Sequence, residues 1–96
     1  MLALSSRQLA IVKDIVRQHL GARLVKVFGS RATDTAKPFS DLDLLVVGEP
    51  LTAQLRGAID EAFDESDLPF RVDIVEAVRA TPSFLQVIER HARVLP

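Results

Sequence analysis

The stretch Gly29–Val46, GSRATDTAKPFSDLDLLV, sets a Gly-Ser pair ahead of two aspartates that stand one residue apart at the mouth of an apolar run. On an extended strand, side chains at i and i+2 share a face, so Asp41 and Asp43 project together while Leu42 and Leu44 point into a core. Asp41–Val47 therefore predicts a strand, closed by the turn residues Gly48 and Pro50. Just upstream, Arg23–Phe28 (RLVKVF) alternates polar and apolar residues and predicts a strand ending at Gly29. The intervening SRATDTA predicts one or two helical turns, whose free N–H groups attract phosphate.

Outward from this stretch the elements alternate in type. Ser5 and Gln8 form a capping-box pair, and Leu9, Val12, Val16 and Leu20 follow helical spacing until Gly21. Thr52 caps a helix running to about Glu65. Its inner face is expected to carry Leu55, Ala58, Ile59, Ala62 and Phe63, with Arg56, Asp60, Glu61 and Asp64 outside. Phe70–Val75 predicts a third strand. Thr81-Pro82 opens a last helix with a stripe of Phe84, Leu85, Ile88 and Ala92, and RVLP (93–96) adds a short edge strand. The fold class is α/β: a small mixed sheet of three to four strands covered by helices, in a single domain over residues 1–96.

Composition narrows the function classes. A chain of 96 residues buries only about 60–65% of its unfolded surface, which leaves room for a partner. Twelve basic against thirteen acidic residues leave no excess of positive charge to track a phosphate backbone, so direct nucleic-acid binding is not expected. The absence of cysteine excludes disulfides and zinc–thiolate sites. With no apolar run long enough to cross a bilayer and no signal-like start, the expectation is a cytoplasmic protein with no membrane partner.

The chemistry rests on the carboxylates. Two held together repel, and a cation between them relieves the repulsion; oxygen donors at this reach suit magnesium or manganese. The alternative is a pair of solvated acids at a strand start. Gly29 lets a phosphate approach the backbone and Ser30 adds a hydroxyl donor, so a metal at Asp41 and Asp43 would bridge the same phosphate oxygens. Arg31 and Lys37 lie where a cation can meet phosphate, with plain solvation as the alternative for each. His19 and His91 receive no catalytic role, and the five phenylalanines read as packing residues.

Gly-Ser followed roughly ten residues later by Asp-x-Asp resembles the signature of nucleotidyltransferases related to DNA polymerase beta. The chain length and the GSRA…SDLDL form most resemble the minimal nucleotidyltransferase (MNT) branch, the antitoxin half of HEPN/MNT toxin–antitoxin pairs. The resemblance implies the polymerase beta-like fold, with Gly29, Ser30 and Arg31 on the nucleotide. It implies Asp41, Asp43 and a third carboxylate as catalytic magnesium or manganese ligands. Asp73, which interrupts an apolar strand in FRVDIVEA, matches the third place; an ion pair with Arg71, two residues away on the same face, is its structural alternative. The implied reaction is transfer of AMP from ATP to a hydroxyl side chain, tyrosine by resemblance, of a cognate HEPN ribonuclease toxin. Inhibition of the toxin by occlusion alone, or transfer to a small molecule or RNA, are the other readings. One departure from the family pattern is Asp34, which stands where glycine is common.

Overall fold

Helix α1 (Ser6–Leu20) starts where the sequence supplies its own cap. Ser5 Oγ accepts from the Gln8 N–H at 3.1 Å, and Gln8 Oε1 accepts from the Ser5 N–H at 2.9 Å. The structure, a computed structural model, describes residues 2–96. After α1 come β1 (Val25–Phe28), β2 (Leu42–Val46), α2 (Ala53–Asp64), β3 (Val72–Glu76), α3 (Pro82–Glu89) and β4 (Arg93–Val94). Thr52 and Thr81 cap α2 and α3 through their hydroxyls, and Pro82 occupies the first turn of α3, where its missing N–H costs nothing.

The strands form one mixed sheet in the order β3-β2-β1-β4. β1 is antiparallel to β2 and to β4, whereas β2 and β3 are parallel, as their connection through α2 requires. Side-chain alternation divides the sheet into two faces. Val25 and Val27 of β1, Leu42, Leu44 and Val46 of β2 and Ile74 of β3 join Val12, Ile15, Val16, Leu20, Ile59 and Phe63 of α1 and α2 in one buried cluster. The opposite face carries Lys26, Phe28, Asp43, Leu45 and Asp73. There α3 rests on β1, with Phe84 edge-on to Phe28 at 6.5 Å between ring centroids and Lys26 paired to Glu89 at 3.1 Å.

The mixed sheet of four strands and the positions of the helices agree with the sequence reading, and the differences are local. The β2 and β3 ladders begin one or two residues late, because Asp41, Phe70 and Arg71 lie just ahead of them. Ala58 of α2 faces solvent and is exposed. In α3 no residue is fully buried: Phe84 is 43% exposed, Leu85 and Ile88 are half-buried, and Ala92 lies beyond the helix. One helix over a two-strand margin has too little surface beneath it to bury its whole stripe. Among the described residues no helix is long and apolar enough to cross a membrane.

Arg56, expected on the outside of α2, turns inward instead. Its Nη2 donates to the Ile74 carbonyl at 2.9 Å and its Nη1 to Glu76 Oε2 at 3.2 Å. Glu76, 8% exposed at the end of β3, also accepts from the Leu51 N–H at 2.7 Å and from Arg79 Nε at 3.2 Å. Burial alone would push this carboxyl's pKa up, but the Leu51 N–H and the two guanidiniums outweigh it and hold the pKa below the ordinary glutamate value. A depressed folded-state pKa stabilises the protein above the unfolded value, and that stability is lost as pH falls through the folded one. Glu76→Gln is therefore expected to lose about 1–3 kcal/mol at neutral pH and to flatten the acid limb of the stability curve, measured by urea unfolding from pH 7 down to pH 3. An acid limb as steep as that of the native protein would contradict this account.

Candidate active site

The strand directions bring three chain ends to one edge of the sheet. β1 finishes where β2 begins, because the pair is antiparallel, and β3 begins there too, because it runs parallel to β2. Across this edge the register reads Phe28↔Asp43↔Asp73, so the last residue of β1 and the two aspartates lie side by side. Adjacent strands are about 4.8 Å apart, and Asp43 and Asp73 share a face, so their carboxylates are neighbours by construction. Asp41 joins them from two residues upstream of Asp43.

Gly29 follows Phe28 and turns the chain over Asp43. Its φ is +73°, a value that L side chains rarely adopt, and a Cβ placed there would come within 2.5 Å of Asp43 Oδ2. Glycine is needed on both counts. The turn that follows, Gly29–Arg31, is a single 3-10 turn closed by the Ala32 N–H on the Gly29 carbonyl at 3.0 Å, so the expected helical segment shrinks to one turn. The Ser30 carbonyl then accepts from the Thr33 and Thr35 N–H groups at 3.3 and 3.1 Å, and the chain reverses through Asp34 at φ +63°. This left-handed position explains why glycine suits it; aspartate is among the few other residues that tolerate it. The first N–H groups of such a turn have no partner within it.

The three carboxylates differ in setting. Asp41 and Asp73 have side chains 46% and 52% exposed, whereas Asp43 is half-buried between them under Gly29. Burial raises the Asp43 pKa above the usual aspartate value, and the negative charges of Asp73 and then Asp41 raise it further. Arg71 answers part of this repulsion, its Nη2 lying 3.6 Å from Asp73 Oδ2 and 3.8 Å from Asp41 Oδ2. The ion pair weighed for Asp73 thus exists, but it is long, exposed and shared with Asp41, so it adds little stability. Asp41 as a second partner of Arg71 was not legible in the sequence, because it depends on β2 and β3 pairing in parallel.

The donor set fits a hard divalent cation: oxygen ligands only, like-charged, and crowded enough to raise the central pKa. Among the described residues the side chains do not converge into a three-ligand group, since Arg71 lies against the outer two.

Arg31 departs from the sequence reading. It is 4% exposed and therefore not solvated; its guanidinium donates to the carbonyls of Ala3, Pro38 and Ser40 and lies 3.9 Å over the Phe70 ring. The alternation of charge and apolarity that identified Asp43 carries no such signal for Arg31, whose burial depends on a loop folding back over it. Lys37 is exposed, as is Phe39 at 74%.

Residues 9–95 match the family described as nucleotidyltransferase domain. The chain belongs to that family. A curated relative from Haemophilus influenzae, named "Probable protein adenylyltransferase MntA", is 42% identical over 90 residues, spanning 93% of this chain and 79% of the relative. Among solved structures, a toxin–antitoxin with AMP-PNP superposes with a TM-score of 0.75 at 22% identity, over 92% of this chain and 72% of that one. A tri-AMPylated HEPN toxin of Shewanella oneidensis in complex with an MNT antitoxin gives 0.67 at 19%, over 92% and 68%. At those identities the solved structures establish the likeness of fold, and the family is established by the domain match and by the relative from Haemophilus influenzae.

In this nucleotidyltransferase domain the carboxylate edge has a thermodynamic signature. A carboxyl whose folded pKa is raised contributes stability that is complete below its unfolded pKa and is lost as pH rises through the folded one. In buffer free of divalent cations at neutral pH, Asp43→Asn is expected to raise Tm by a few degrees, with the difference closing as pH falls into the carboxylate range. Differential scanning calorimetry across pH checks this, and an equal or lower Tm for the variant at neutral pH would contradict the crowding.

Proposed function

We propose that this chain is the antitoxin of a HEPN/MNT pair and that it transfers AMP from ATP to a hydroxyl side chain, tyrosine by family resemblance, of the cognate HEPN ribonuclease toxin. The observation that carries the reading is the joint presence of Gly29, Ser30, Asp41, Asp43 and Asp73 at one sheet edge, in a chain 42% identical to a relative named as a protein adenylyltransferase. The fold likeness to an antitoxin in complex with an AMPylated toxin supports the same assignment. Occlusion alone would require no such set. The cytoplasm is the proposed location, where ATP is at hand.

In the reaction the acceptor oxygen attacks the α-phosphorus of ATP. A bond from that oxygen to phosphorus forms, the bond to the bridging oxygen of the β-phosphate breaks, and pyrophosphate leaves while the hydroxyl proton is taken up by a base. Gly29 and Ser30 would receive the triphosphate on the turn's N–H groups and the Ser30 hydroxyl. Asp41 and Asp43, with Asp73, would hold magnesium or manganese, which supplies positive charge for the phosphates and eases loss of the hydroxyl proton. Asp73, exposed beside the other two, is the carboxylate placed to complete that shell or to take the proton. Arg71, in contact with Asp41 and Asp73, is the one cation among the described residues that faces this edge. Adenylate added to the toxin brings phosphate charge to its surface, and near an RNA-binding site that charge would repel the RNA backbone.

Mass spectrometry of the co-expressed toxin, incubated with ATP, magnesium and this protein, is expected to show added AMP that disappears with Asp41→Asn. A toxin neutralised equally by the variant, without mass change under either protein, would leave occlusion as the mechanism. Gly29→Ala, whose new methyl group must displace the Asp43 carboxylate, is expected to lower the transfer rate by about 10²-fold while the variant remains folded. Transfer at the native rate would remove Asp43 from the proposed set.

A further inference from the structure

Arg31 is a buried cation held by dipoles. Its Nε and Nη2 both donate to the Ser40 carbonyl, at 3.0 and 2.8 Å; Nη2 also reaches the Pro38 and Lys37 carbonyls at 3.2 and 3.4 Å, and Nη1 donates to the Ala3 carbonyl at 2.6 Å. The Ala3 N–H returns a bond to the Arg31 carbonyl at 2.8 Å, and the Phe70 ring covers the guanidinium at 3.9 Å. Among the described residues it is carbonyl oxygens and an aromatic face that hold this charge, not a carboxylate.

What these partners have in common is their position in the chain. Arg31 itself follows Ser30. Ser40 precedes Asp41, and Phe70 precedes Arg71, which touches both Asp41 and Asp73. One planar fork therefore ties together the three segments that lead into the candidate site, and it does so across a loop of eight residues between Arg31 and Ser40 that has no strand or helix of its own beyond the first turn. Without that tie the loop would be free to move the start of β2 relative to the Gly29–Ser30 turn. The rigid, multi-donor geometry of guanidinium is what the arrangement uses; an ammonium of similar length has one point of charge and cannot reach Ala3 and Ser40 together while lying flat on Phe70.

We propose that Arg31 is a positioning residue for nucleotidyl transfer, setting the distance between the Gly29–Ser30 turn and the Asp41, Asp43 and Asp73 carboxylates from behind the site, and that it does not bind the nucleotide. The inference rests on the adenylyl-transfer reading for its kinetic test and on geometry alone for its spectroscopic one.

The test compares the native chain with Arg31→Lys and Phe70→Leu, each at a temperature where circular dichroism shows it fully folded. Arg31→Lys is expected to lower kcat per folded molecule by about 10²-fold with KM for ATP within about threefold of native, since misplacement and not lost binding is the defect. Phe70→Leu, which leaves every carbonyl acceptor of Arg31 in place and keeps an apolar side chain at this core position, is expected to lower kcat less and in the same pattern, so the proposal stays testable should Arg31→Lys fail to fold. Amide NMR without substrate is expected to shift Gly29, Ser30 and Asp43 in both variants while leaving the α1 amides unmoved. A KM for ATP that rises with kcat unchanged would make Arg31 a nucleotide ligand after all, and native kcat with unshifted amides would make it scaffold only. An inactive native protein would instead count against the adenylyl-transfer reading, with the amide shifts still deciding the positional claim.

Discussion

Parallel pairing of β2 with β3 is the constraint from which the candidate site follows. It sets Asp43 opposite Asp73 on one face, and the antiparallel partner β1 delivers Phe28 and then Gly29 to the same edge. A slip of β2 by one residue would send Asp43 into the hydrophobic cluster and bring Leu42 and Leu44 to the opposite face. That alternative is closed by burial: Leu42 and Leu44 are wholly inaccessible in the core cluster, and each apolar side chain of this size withdrawn from water contributes about 1.5–3 kcal/mol. The carboxylates are thus held in mutual repulsion by the packing of the residues between them.

The remainder of the structure supports that edge from two sides. On the core side, Arg56 of α2 binds the Ile74 carbonyl and Glu76, so the helix that connects the parallel strands is also pinned to the second of them. On the loop side, Arg31 gathers the carbonyls that precede Asp41. Both arginines donate to backbone oxygens, Arg56 to the Glu76 carboxylate as well, and both hold segments next to the candidate site. Repulsion among Asp41, Asp43 and Asp73 is then not a defect of folding but the state that a divalent cation would relieve.

Much of this is legible in the sequence. The Ser5–Gln8 box, the Thr52 and Thr81-Pro82 caps, and the Asp-x-Asp at a strand mouth are local codes, read from residues within a turn of each other. What escaped depends on contacts distant in sequence. Ala58 looks apolar enough for the inner face but lies on the solvent side of α2, and Arg56 looks like a surface charge until Glu76, twenty residues on, supplies its partner. Arg31 could be read as a phosphate ligand because it directly follows the Gly29–Ser30 pair; its burial by Ala3, Ser40 and Phe70 is a property of the folded loop. Asp34 is the reverse case, a departure from a family pattern whose meaning, a left-handed backbone, the structure makes plain.

The account stands or falls on the crowding of Asp43. Carbon-detected NMR titration of its carboxyl, in protein free of divalent cations, measures that crowding directly. The predicted result is a midpoint above the ordinary aspartate value of about 3.9, moving back toward it when Asp73→Asn removes one neighbouring charge. An Asp43 that titrates in the ordinary range and is indifferent to Asp73→Asn would mean that the two strands do not bring their carboxylates together, and the candidate site would lose its foundation.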